Sequence, residues 1–184
     1  MKKAIKCGLV GGIVVFIWGM ISWQILPWHV RSLHQFKNES QVYEAIKKNA
    51  PVSGIYVLPN MYIKGSEQAV SQRQMVAKGP VMFASVLVEG AGHLSIMPFV
   101  IAFVTQVIGA TLIMWMLMQT KLNSFRKRVG FVMLVGFLVG LLGILPAWNW
   151  WGFSGAYVLS CFGDLIIGWG LAGSAMVKLM KRVR

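Results

Sequence analysis

The chain has 184 residues, of which 57% are hydrophobic and only 12% are charged. Soluble domains carry about 25% charged residues, so the composition sets aside a soluble globular domain and points to an integral membrane protein. Eighteen Lys and Arg stand against five acids, a net charge of +13; the cations cluster between apolar stretches without interleaved aromatics, which reads as membrane-flanking charge rather than a nucleic-acid surface.

The first apolar run is Cys7–Pro27, preceded by Lys2, Lys3 and Lys6. This start imitates a secretion signal. The run is longer than a signal core, however, and its end, SWQILPWH, lacks a small-x-small cleavage site, so an uncleaved anchor is expected. A polar stretch follows. NESQVYEAIKKN predicts a short helix capped by Asn38, with Gln41 three residues on as in a capping box, and stopped at Asn49-Ala50-Pro51. GIYVLP (54–59) and GPVMFASVLVEG (79–90) predict strands bounded by Gly and Pro. The polar IKGSEQAVSQRQMVAKG between them predicts partial helix. A small α+β element results, too small for a substantial core of its own.

Three more apolar runs follow: Ile96–Met118, Val129–Ala147 and Phe153–Val177. A bilayer core takes about 20 helical residues, and lipid leaves a spanning backbone no partner but itself. The expected fold is an all-α membrane protein, a four-transmembrane-helix bundle with a small α+β extracytoplasmic insert between helices 1 and 2. Its divisions are helix 1 over 1–28, the insert over 29–95, and helices 2–4 over 96–184.

Orientation follows from charge. Lys2, Lys3 and Lys6, then Lys121, Arg126, Lys127 and Arg128, then Lys178, Lys181, Arg182 and Arg184 lie on one side of four crossings with no nearby acid. That side is expected to be the cytoplasm. The insert and the AWNWWG turn, 147–152, then lie outside, where Trp23, Trp28, Trp148, Trp150 and Trp151 gather as an aromatic belt. Cys7 and Cys161 read as small buried residues at different depths, with no disulfide between them. Gly8 and Gly12, Gly136 and Gly140 with Gly143 close by, and Gly163, Gly168, Gly170 and Gly173 mark close helix packing. Packing within one bundle is the plain reading and a homodimer face the alternative.

Asp164 is the only acid inside an apolar run. It lies about eleven residues in, near mid-depth, and Gln106 reaches a similar depth, roughly 15 Å from the outer face at 1.5 Å per residue. A Gln106–Asp164 hydrogen bond is expected. Helix glue is one reading of it and a proton or ion relay the other. Two of the three histidines sit in SWQILPWHVRSLH. His29 and His34 are five apart, about 140° around a helix, so they share no helical face. His29, His93 and Glu89 sit near the outer face and are ligand types that suit zinc or copper; the plain reading is interfacial histidines bonded to headgroups or to the insert. No motif for a bound cofactor, a nucleophile or a phosphate loop is found.

WGMISWQILPWHVRSLHQF, PVSGIYVLP, PAWNWWGF and GDLIIGW together resemble a group of small, functionally uncharacterised bacterial four-helix inner-membrane proteins. The resemblance implies a bacterial envelope protein with four spans and an outer insert, and it carries no catalytic residue. Trp28, His29, Trp148, Asn149, Trp150, Trp151 and Asp164 lie within those strings.

The expected role is that of an accessory, assembly or binding protein of the inner membrane, without enzymatic activity. Its partners would be the lipid bilayer and another membrane protein or a second copy of the chain. A small proton- or ion-coupled carrier using Asp164 is the rival, and a metal- or haem-binding redox component at the outer face is the third reading.

Overall fold

A computed structural model describes residues 1–60, 62, 66–90 and 96–182. In chain order its elements are α1 (Lys2–Gln24), α2 (Trp28–Ser32), α3 (Glu39–Asn49), β1 (Gly54–Leu58), α4 (Ser66–Lys78), β2 (Met82–Val86), α5 (Met97–Met118), α6 (Phe125–Val139), a π-helical turn (Gly140–Ile144), α7 (Leu145–Trp151) and α8 (Gly155–Arg182). They form two units: residues 1–34 with 95–184, and residues 35–94.

The first unit holds four helices long and apolar enough to cross a membrane: α1, α5, the continuous α6–π–α7 rod, and α8. They pack in the order α5–α1–α8–α6, with α1 between α5 and α8. Small residues make this possible. A Cβ on Gly8 or Gly12 would lie within 2.7 Å of the Thr111 or Val107 backbone of α5, so only a hydrogen at those positions lets the helices approach this closely. Gly136 accepts the Trp169 ring of α8 in the same way, and Gly173 meets Val132 of α6. These glycines therefore serve packing within the chain.

The same helix shows an inverted pattern. Ala4, Cys7, Gly8, Gly11, Gly12 and Val15 are buried, while Ile5, Leu9, Ile13, Ile17 and Ile21 are exposed at spacings of four. The buried cluster draws on early α1, late α5, early α6 and late α8, around Met114, Val132, Met176 and Val177. It sits in the half of the bundle nearest the two termini.

Local chemistry sets the breaks. Ser124 caps α6 by accepting from the Lys127 N–H. Pro146 lacks an N–H and its ring crowds the carbonyl four residues back; the chain widens into the π turn just before it. The AWNWWG stretch, expected as a turn, continues as helix through Trp151. Gly152 ends it in the left-handed region (φ 69°), where its N–H reaches the Ala147 carbonyl; a glycine adopts that conformation without a Cβ penalty. Ser154 then caps α8 by accepting from the Tyr157 N–H.

The second unit is a small α+β element, as its sequence predicts. Asn38 Oδ1 accepts from the Gln41 N–H to open α3. β1 and β2 pair antiparallel with Gly54 opposite Val86 and Leu58 opposite Met82, and α4 fills the connection between them. Ser53 Oγ accepts from the Val88 N–H beside the pair. No residue of α3 is buried, consistent with a unit too small for a deep core.

Candidate functional site

The ending of α1 builds the site. The helix runs to Gln24, and Leu26 N–H still reaches the Ile21 carbonyl. Pro27 has no N–H to extend the ladder. The chain turns there and Trp28–Ser32 forms one short helix that packs against α8. Three polar contacts pin this turn. Trp28 Nε1 donates to Ser22 Oγ at 2.8 Å. Ser32 Oγ donates to the His29 carbonyl at 2.7 Å. Ser160 Oγ of α8 donates at 3.0 Å to Ala156 O and at 3.5 Å toward Trp28 O. The Trp28 ring lies over Gly163, where a Cβ would just touch it.

This fold-back places His29 against Asp164. His29 Nε2 and Asp164 Oδ2 are 2.7 Å apart, with the histidine side chain 1% exposed and the aspartate 18%. Either Nε2–H donates to the carboxylate or a protonated carboxyl donates to Nε2; the distance fits a strong, charge-assisted bond. Trp23 stacks on the imidazole, centroids 3.9 Å apart and planes within 8°. Trp28 meets the same ring edge-on at 6.0 Å, and Trp18 in turn meets the Trp28 ring edge-on at 6.2 Å. The imidazole is thus flanked by two indoles, Trp23 and Trp28, with Trp18 backing Trp28. Each member keeps one buried polar atom without a partner among the described residues, His29 Nδ1 and Asp164 Oδ1; Trp18 Nε1 is a third.

The expected Gln106–Asp164 hydrogen bond is not formed. Gln106 lies on α5, which α1 separates from α8, and it is half-buried with no side-chain hydrogen bond among the described residues. Asp164 is the tenth residue of the 28-residue α8, about 14 Å from its start at 1.5 Å per residue. The sequence-based count missed the partner because it treated the residues after Pro27 as leaving the bundle, whereas they fold back onto it.

His29 is therefore a buried residue whose Nε2 is taken by Asp164. His34 is exposed. His93 lies outside the described residues, and Glu89 is exposed in the turn after β2. Among the described residues no three His, Cys, Asp or Glu side chains converge. Trp148, Asn149, Trp150 and Trp151 lie along α7, all exposed, Trp150 most of all at 75%. Trp28, expected in that rim, is turned inward instead. Both cysteines are free thiols. Between the end of α2 and the α7–α8 turn runs a groove of about 370 Å³ lined by Ser32, Leu33, Phe153, Ser154 and Tyr157.

Sequence reasoning missed Trp18 and Ser22, which both brace Trp28 beside the pair. One signal was available: a tryptophan and a serine each one to three turns before a helix-ending proline, on the chain that carries the histidine. No known protein family, curated protein or solved structure matches this chain.

Proposed function

We propose that the chain is a four-span integral protein of the bacterial inner membrane, with both termini cytoplasmic, that works as an accessory or binding protein through its outer end. The span assignment is supported by the inverted pattern of α1, small residues inside and large apolar ones outside, which suits an apolar solvent. The cytoplasmic side is supported by the acid-free cations at one end of the bundle. The resemblance to small bacterial inner-membrane proteins agrees with both.

The observation that carries the binding reading is the His29–Asp164 bond, its imidazole flanked by Trp23 and Trp28. The only acid within the spans is engaged in pinning the α2 fold-back to α8. The hydroxyls of Thr105, Thr111 and Ser174 are satisfied inside their own helices, by the Ile101, Val107 and Gly170 carbonyls. No polar ladder continues from the pair among these groups. What the latch creates is a rigid outer corner that presents the groove and the α7 tryptophans. Purification in mild detergent should bring down one membrane partner at fixed stoichiometry, lost on Trp150→Ala or Leu33→Asp. A chain that purifies alone under every mild condition sinks this reading.

A proton-linked carrier is the second reading, favoured by the unpartnered Nδ1 and Oδ1 of the buried pair. Such atoms offer a place for a transferred proton. Asp164→Asn should then abolish flux in proteoliposomes while the protein still folds; unchanged flux eliminates the relay.

A further inference from the structure

The end of the bundle away from His29 and Asp164 carries a cavity of about 390 Å³. Three cations from three helices line it: Lys3 of α1, Arg128 of α6 and Lys181 of α8. Lys3 and Arg128 are half-buried, whereas Lys181 is exposed, as are Lys2, Lys6, Arg126, Lys127 and Lys178 at the same end. Arg128 Nε donates to the Leu122 carbonyl at 2.8 Å, which fixes the guanidinium and leaves its two Nη groups uncommitted among the described residues. Lys181 Nζ lies 6.0 Å over the Phe125 ring. No acid is near. Four of the five acids fall between residues 39 and 89 and the fifth is Asp164.

Three like charges around one cavity repel each other, and among the described residues no acidic side chain pairs with them. Topology needs cations at this end but does not need three of them to converge. The rest of the lining is Leu117, Met118, Leu122 and Met180, with Thr120 among them. A net-anionic group joined to an apolar body fits both halves. The planar guanidinium matches two phosphate oxygens, and basic pockets between spanning helices on the cytoplasmic side suit anionic headgroups. We infer that this cavity binds the phosphate of an anionic phospholipid from the leaflet on the basic side. Inorganic phosphate shares the charge but leaves the apolar wall uncovered.

The inference rests on the bilayer assignment alone. A chain that stays dissolved without detergent ends that assignment, whereas a detergent-requiring chain that retains no anionic lipid ends only this one. The test is native mass spectrometry of the full chain from nanodiscs holding equal phosphatidylglycerol and phosphatidylcholine, with inorganic phosphate as a separate arm. One phosphatidylglycerol should stay bound per chain. Lys3→Gln/Lys181→Gln should weaken its retention on the order of tenfold, and Lys2→Gln/Lys127→Gln, with the same change in charge, should keep it. Neither cavity lysine donates a hydrogen bond among the described residues, and matching thermal unfolding of the lipid-free double variant checks that its fold is intact. Equal weakening by both double variants, equal retention of phosphatidylcholine, or retention of phosphate without lipid would each overturn the proposal.

Discussion

His29 and Asp164 are 135 positions apart in the chain and 2.7 Å apart in space. Each is tolerable in an apolar interior only because the other is there. Removing one leaves a buried polar group with its desolvation cost uncompensated; removing both does not. His29→Leu or Asp164→Leu alone should therefore cost about 3 kcal/mol. The double variant should unfold less readily than either single one. Thermal unfolding in detergent through the four-member cycle measures this, and additive losses would deny the coupling. Asp164→Asn keeps an acceptor and should cost about 1 kcal/mol, in the range of a membrane hydrogen bond. At this scale the sequence was half informative. Asp164 is conspicuous as the one acid in an apolar run. Its partner was not, because depth counting orders residues along helices and says nothing of a chain that doubles back.

At the scale of elements, glycine positions differ sharply in what they tolerate. Gly8 and Gly12 face the α5 backbone, which cannot move aside as a flexible side chain can. Gly163 faces the Trp28 ring at 3.6 Å, an ordinary contact distance. Gly8→Ala and Gly12→Ala should each cost about 1–3 kcal/mol, as overpacking does, while Gly163→Ala should be near neutral. Parallel melting curves of the three variants decide it; comparable losses would mean that α1 and α5 are not in backbone contact. The pairs of glycines four apart were legible as packing signals. Which helix each would meet was not, since a small residue announces close approach without naming its neighbour. Likewise Pro27 and Pro146 were visible, but one turns the chain back on itself and the other is absorbed by a π turn inside a continuous rod.

For the whole molecule, the charge asymmetry makes a direct prediction. A reporter that needs an oxidising compartment should be active when fused after Lys48 and inactive when fused at the C-terminus. The reverse pattern would invert the topology, and activity at both sites would mean an odd number of crossings. The sequence by itself determined the four apolar segments, the capped helix at Asn38 and the two strands, because hydropathy, capping and turn chemistry are local and survive without a partner. Only the tertiary structure decided the helix order, the burial of His29, its bond to Asp164 and the convergence of Lys3, Arg128 and Lys181. Those depend on which faces meet, and in an apolar chain almost every face is equally greasy, so periodicity carries little information about neighbours and packing of small residues makes the choice.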